Sequence, residues 1–242
     1  MLEHLTLRPQ PVVNPLQSAM DAFMLSREAM RCSPKTLAHY GYTLGRFLDF
    51  LDAQGVTAPQ GITPAHVRLH LVTLQHAGLK DTTQHAHARG IRAWLRWMVL
   101  EGDIDESPMR RVAMPRLEQR IPAPFSPDDV RALLEACDRH SAIGARNFAL
   151  VLALLDSGLR ASELVGLRVG DVDMRSGLAV VMGKGGKQRQ VRMGTKARAA
   201  IVRMLGYREN ADASAPLWAG YDGLRGQEAG ALSVHGLQTM LR

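Results

Sequence analysis

Two short strings hold residue types suited to gripping and protonating a phosphate ester. The first is Asp156-Ser-Gly-Leu-Arg160-Ala-Ser-Glu163-Leu-Val-Gly-Leu167. Gly158 predicts the end of one helix and Arg160 the start of the next. An arginine at that place, beside backbone N–H groups, suits an anion such as a phosphate. Glu163 lies three residues on, shares a helix face with Arg160 and can hold its guanidinium. On spacing alone the plainer reading, a surface Arg–Glu pair, is the stronger one. The second string is Gly183-Lys184-Gly185-Gly186-Lys187-Gln-Arg189-Gln-Val-Arg192. A lysine on a hairpin tip can reach into a DNA groove, hold a phosphate or give a proton to a leaving alkoxide. The order G-x-x-x-x-G-K-[ST] of a nucleotide-binding loop is absent. Alone, this string reads first as a solvated charged turn.

Other candidates carry less. His66 and His70 stand four apart on an expected helix with His76 nearby, but a third ligand and an intervening Glu are missing, so no metal site is expected. His85 and His87 read as a solvated helix start facing DNA. Trp94 and Trp97 read as core and interdomain packing. Met98 reads as core filler.

The charge balance names the class of partner. Thirty Lys and Arg against 23 Asp and Glu give +7, and the pI is near 9.9. A basic surface points to nucleic acid first and anionic lipid second. From Met174 to Arg208 there are nine Lys or Arg and no Asp or Glu, which makes this window the densest positive patch. Hydrophobic residues form 46% of the 242, enough for a packed core and against general disorder. Cys32 and Cys137 have no partner spacing, which excludes a disulfide framework and a cysteine zinc cluster and fits a reducing cytoplasm. No apolar stretch has the roughly 18 residues needed to span a membrane. Residues 1–14 have no apolar signal core.

The elements that must position these strings follow from periodicity and caps. Leu16, Met20, Phe23 and Met24 predict a first helix. Ser33-Pro34 caps a second with Leu37, Tyr40, Leu44, Phe47, Leu48 and Leu51 on one face, and Gly55 and Pro59 end it. Thr63-Pro64 opens a third, stopped by Gly78. Asp81 or Thr82 caps a fourth through Ile91, Trp94, Leu95 and Met98, closed by Gly102. Three prolines in residues 114–124 predict a linker. Ser126-Pro127-Asp128-Asp129 caps the next helix, with its acids at the positive end of the dipole. Helices follow from 143 to 155 and from 161 to 166. The period then changes: 169–172, 178–182 and 188–193 read as strands. Thr195 caps a helix to Tyr207, residues 210–230 read as loop, and Ser233 caps a last helix. The expected division is an N-terminal tail over 1–13, a helical domain over 14–113, the linker, and a second domain over 125–242.

Taken together, in this order and separation, the two strings resemble the tyrosine recombinase (phage integrase, Xer-like) family. The first half agrees through Ser33-Pro-Lys-Thr36, Tyr40, Leu44, Phe47-Leu48, Ile62-Thr63, Val67-Arg68, Ile91, Trp94-Leu95 and Asp105-Glu106-Ser107-Pro108. Phe125-Ser-Pro-Asp-Asp-Val130 resembles the opening of that family's catalytic domain. The implied fold is mainly α with a small β-hairpin. It comprises a SAM-like helical core-binding domain and an α+β catalytic domain. The implied activity is DNA recombination or integration through a 3′-phosphotyrosine intermediate, with no metal, ATP or other cofactor. The implied partners are double-stranded DNA and other recombinase subunits.

By position, the resemblance makes Arg160 the first phosphate-gripping arginine, Glu163 its supporting acid and Lys184 the general acid toward the leaving oxygen. It makes Lys187 and Arg189 DNA-backbone contacts, with Lys35, Arg89, Arg92 and Arg96 as further phosphate contacts. The family's His-x-x-Arg and nucleophilic tyrosine fall downstream of the hairpin. His235 is followed by Gly-Leu-Gln, and Tyr40, Tyr42, Tyr207 and Tyr221 all precede the nucleophile's place, so none matches it. The expectation is therefore a catalytic domain that is incomplete, exposes apolar surface and is incompetent alone. The alternative reading is a non-catalytic DNA-binding regulator that occupies recombination sites.

Overall fold

The computed structural model describes residues 14–118, 123–183, 186–209, 211–222 and 227–241. The chain divides into two compact units between residues 121 and 122.

The first unit is helical. Its helices are α1 (Pro15–Ala29), α2 (Pro34–Ala53), α3 (Pro64–His76) and α4 (Asp81–Glu101). Three of them open on proline after a side-chain cap: Asn14 accepts from the Leu16 and Gln17 amides, Ser33 from Thr36, and Thr63 from His66. The fourth opens differently from expectation. Lys80 is the cap residue and makes no side-chain cap bond, while Asp81 is already helical. Gly102 closes α4 in the left-handed conformation, φ 85°, which a side chain would strain.

The apolar stripes meet in one core of Leu16, Phe23, Leu44, Phe47, Leu51, Ile91, Trp94, Leu95 and Met98, all at most 1% exposed. Phe23 meets Tyr40 and Trp97 edge-on at 5.1 and 5.6 Å between ring centres. Trp94 donates its indole N–H to the Ala19 carbonyl at 3.4 Å, tying α4 to α1. Gly90 permits α4 to cross α2: a Cβ there would sit 2.5 Å from Thr43 Oγ1. The stretch after α4 continues over the same unit. His85 Nδ1 donates to the Pro115 carbonyl at 3.0 Å, which assigns that nitrogen the proton, and the Glu118 amide donates to Asp81 at 3.1 Å.

The histidines differ from expectation. His87 is fully buried and His70 is 2% exposed, so the start of α4 is not a solvated histidine face. Their ring centres lie 5.8 Å apart, with Phe47 and Phe50 against His70 and Tyr42 against His87. Among the described residues, His70 Nε2 and both ring nitrogens of His87 find no hydrogen-bond partner. Periodicity could not show this, because histidine serves a core or a surface position equally.

The second unit holds α5 (Pro127–Glu135), α6 (Ala142–Ser157), α7 (Ala161–Val165), β1 (Leu178–Met182), β2 (Gln188–Arg192), α8 (Thr195–Leu205), β3 (Ala219–Tyr221), β4 (Glu228–Ala231) and α9 (Val234–Met240). Ser126 and Asp129 cap α5 reciprocally, and Ser233 caps α9. Small residues Ala145, Ala149 and Ala153 recur every four positions on α6 and let α8 pack closely through Ala197, Ala200, Ile201 and Met204. β1 and β2 form an antiparallel hairpin, with Leu178 opposite Arg192 and Met182 opposite Gln188. Ala179 and Val181 point into the core while Val180 and Met182 are exposed, the alternation of a one-sided sheet.

Three expectations for this unit need correction. Residues 169–171 form a 3-10 turn rather than a strand, and only Val172 bridges to Ala179. The Asp171 side chain accepts from the Arg168 amide and bends the chain there. Gly194, not Thr195, caps α8, without a side-chain bond of its own. The presumed loop contains the β3–β4 hairpin, with Ala219 opposite Ala231 and a bulge beyond it. Short Ala/Gly strands carry too little β-branched character to be seen in sequence.

Two measurements test this packing. Helix propensity favours Gly90→Ala by about 1 kcal/mol, but overpacking against buried Thr43 costs about 1–3 kcal/mol. Gly90→Ala is expected to lower the melting temperature, and Thr43→Ala in that background to recover it. Burial, then the neighbouring His87 and Arg46, lower the His70 pKa from 6.5 to about 4. The unfolded chain therefore binds the proton first. Stability should fall as the pH drops from about 6.5 toward 4, by on the order of 3 kcal/mol at the limit. Acid-unfolding curves should show this fall, and His70→Leu should flatten it.

Candidate functional site

Glu163 is the centre of the site. It sits in α7, its side chain only 3% exposed. The helix before it ends at Gly158, which adopts φ 60° and frees the chain to turn sharply. Arg160 is the residue that precedes α7. Its own backbone N–H donates to Glu163 Oε2 at 2.9 Å, so this amide is engaged by the carboxylate and is not open to an anion. The Arg160 guanidinium donates to Glu163 Oε1 at 3.0 Å, while 71% of that side chain stays exposed. The expected pair therefore forms, with an asymmetry that spacing does not show: the acid is buried and the arginine presents its face outward.

A second cation comes from the hairpin. Arg189 on β2 donates to Glu163 Oε2 at 2.7 Å. The Arg160 amide, then the two guanidinium groups, hold the Glu163 carboxyl below the usual carboxylate range against the opposing effect of desolvation. Charge-assisted bonds of this kind fix geometry as well as charge. Sequence reading placed Arg189 only as a DNA-backbone contact; 26 residues separate it from Glu163, and no local pattern links them.

The glycine-rich turn closes through the Gly183 amide to the Lys187 carbonyl at 2.8 Å and the Gly186 amide to the Gly183 carbonyl at 3.3 Å. Gly186 takes φ 73°. Lys184 lies outside the described residues. Lys187 and Arg192 are exposed. A further tie went unnoticed in sequence: Asp156 Oδ2 accepts from the Gly194 amide at the start of α8. Of the second unit's tyrosines, Tyr207 gives its hydroxyl to the Arg139 carbonyl at 3.1 Å and Tyr221 lies under the buried Arg146 guanidinium at 5.2 Å.

In the first unit, Arg89, Arg92 and Arg96 are exposed on one face of α4, at the spacing i, i+3, i+7. Arg92 and Arg96 open onto a cleft of about 790 Å³ walled opposite by Glu106 and Arg110. Lys35 is exposed in the first turn of α2. Among the described residues no group of three or more His, Cys, Asp or Glu could hold a metal ion, and no helix is long and apolar enough to cross a membrane.

Sequence and fold match one class. Residues 124–235 match the Phage integrase family, and residues 23–102 match the Phage integrase, N-terminal SAM-like domain. The chain belongs to the tyrosine recombinase, or phage integrase, family. It is 34% identical over 208 residues to tyrosine recombinase XerC of Pelobacter propionicus, covering 85% of this chain and 69% of that protein. It is 30% identical over 173 residues to the XerC of Anoxybacillus flavithermus, covering 72% and 58%. The chain thus spans about three fifths to two thirds of such relatives. Its fold is similar to that of lambda integrase residues 75–356, solved as a dimer bound to a COC′ core site. The TM-score is 0.73 at 16% identity, over 94% of this chain and 79% of that one. The Tn1549 transposon integrase, solved with circular intermediate DNA, gives a TM-score of 0.65 at 15% identity over 89% and 73%.

Loss of the Glu163 charge tests the hub. Because its folded pKa is depressed, the carboxylate stabilises the unit above the unfolded value and loses that effect as the pH falls through the folded one. Glu163→Gln should melt several degrees below wild type at pH 7, and the difference should shrink as the pH falls below the ordinary carboxylate range.

Proposed function

We propose that this chain binds double-stranded DNA and takes part in site-specific strand exchange as a tyrosine recombinase. The observation that carries the reading is the buried Glu163 holding Arg160 outward beside the lysine hairpin. A guanidinium fixed in this way is ready to grip the two non-bridging oxygens of a scissile phosphate. It offsets the charge that builds as the phosphorus becomes five-coordinate. No reorganisation is needed at the moment of reaction.

In this reaction a hydroxyl attacks phosphorus and the bond to the 5′-oxygen breaks. That oxygen leaves as an alkoxide unless it receives a proton, and Lys184 is assigned that donation. The ester is exchanged for another ester, so the step needs no energy source. The family routes it through a 3′-phosphotyrosine, and none of this chain's four tyrosines is assigned the attack. The residues assigned here clamp the phosphate and protonate the leaving group.

Duplex binding is assigned to both units. Arg89, Arg92 and Arg96 on α4, with Lys35 on α2, meet phosphates from the first unit, and Lys187 does so from the second. Contacts of this type confer affinity without sequence choice and release counterions, so binding falls steeply with salt. Other recombinase subunits are assigned as protein partners, and the cytoplasm, where the DNA lies, as the location.

The test is a titration of a random-sequence duplex of about 30 base pairs at several salt concentrations. Wild type should show a steep linear fall of log affinity with log salt. Arg160→Ala takes one of two cations from the buried Glu163, so it should melt a few degrees below wild type yet stay folded at room temperature, and there bind about tenfold more weakly. Equal affinity of the two proteins at low salt would overturn the assignment of Arg160.

A further inference from the structure

We propose that Asp156 and Arg189 are positioning residues that, with Glu163, clasp the second strand of the lysine hairpin to the segment bearing Arg160. The inference rests on the function proposed above and adds to it how the two halves of the phosphate site are held in register. It also moves Arg189 from the DNA-backbone role expected in sequence to an internal one.

The need for a clasp follows from the hairpin's burial. On β1, Ala179 and Val181 are buried and anchor that strand in the core. On β2, Gln188, Arg189, Gln190 and Arg192 are all exposed and only Val191 is half-buried. Apolar packing therefore fixes the first strand along its length, but holds the second only at its far end, through Val191 and the buried Met193 just beyond it, and leaves Gln188 to Gln190 next to the turn without apolar hold.

Two carboxylates supply the hold. Glu163 takes Arg189, the second residue of β2, at 2.7 Å. Asp156 takes the Gly194 amide two residues past its end. A Cβ on Gly194 would stand 2.8 Å from Asp156 Oδ2, so a side chain there would push the carboxylate aside. The carboxylates bracket Gly158 and Arg160 in sequence, and their partners bracket Val191 and Arg192. The second strand is thus tied twice to the one segment that carries the arginine. The root of the turn shares this contact: a Cβ built on Gly183 would lie 3.8 Å from Glu163 Oε1. Lys184 is the next residue. Glu163 also has reason to keep Arg189, since a carboxylate 3% exposed that loses one of two cations is left undercompensated.

The experiment uses the whole chain, the same random duplex, and the variants Arg189→Met, Arg189→Lys, Asp156→Ala and Asp156→Asn, with Arg192→Met for comparison. Hydrogen exchange reads the hairpin, the salt slope reads phosphate contacts, and acylation of Lys184 with and without duplex reads where that amine sits. Arg189→Met and Asp156→Ala should speed exchange over residues 183–193 by about tenfold while α6 stays protected. Duplex should shield Lys184 in wild type and shield it far less in these two variants. Arg189→Lys and Asp156→Asn, which keep a cation and an acceptor, should recover most of the effect. The salt slope should be unchanged in Arg189→Met, whereas removing a phosphate contact lowers it by about one. A slope lowered by one with hairpin exchange unaltered makes Arg189 a DNA contact and overturns the clasp. Faster exchange throughout the unit reduces both residues to general stability and overturns it too. If wild type binds no duplex, the DNA reading fails, and the exchange data alone then decide whether the clasp exists.

Discussion

A carboxylate taken out of water must be surrounded by donors, and Glu163 meets that demand with one backbone amide and two guanidinium groups. Each donor comes from a part of the unit that has to be placed. The amide sets the turn after α6, Arg160 carries the outward charge, and Arg189 brings in the hairpin. Removing any one leaves the others to satisfy a buried charge, which is costly in a low-dielectric surrounding. The ends of these elements are located by that requirement, and the apolar core behind them supplies the support. Small residues on α6 allow α8 close, and α8 in turn begins at the Gly194 amide that Asp156 receives.

The first unit is built on a different principle. Its helices are joined by aromatic and aliphatic packing around Phe23, Phe47 and Trp94, and its charged residues are kept on the outside. The exposed arginines of α4 lie on the face opposite Ile91, Trp94, Leu95 and Met98, so one helix serves both the core and a basic surface. The exception is the His70–His87 pair, enclosed by Tyr42, Phe47 and Phe50. Burial lowers the pKa of both rings, and they stand there as polar-edged core residues.

In the proposed function the two units divide the physical work. One offers a rigid helical scaffold for a row of exposed cations. The other spends its buried polar bonds on arranging a small number of charges with definite geometry. Affinity for a polyanion needs only the first. Stabilising a particular phosphate in a strained, highly charged configuration needs the second, because the value of a donor there depends on where it points.

Much of this was legible in the residues. Caps at Ser33, Thr63, Ser126 and Ser233, the glycine stops at Gly102 and Gly158, and the apolar stripes of α1 to α4 and α6 are local signals that act within a few residues. So is the Arg160–Glu163 pair, which lies within one helical turn. What sequence by itself determined is thus the helical elements, the charged hairpin and the family. Tertiary structure alone decided that Glu163 is buried, that Arg189 reaches it from an exposed strand, that Asp156 reaches Gly194, that residues 169–171 coil and that His87 is inside. Each of these depends on partners tens of residues away or on which side of an element faces the core. Charge and spacing say what a side chain can do. Only packing sets how much water remains around it, and that sets what it does.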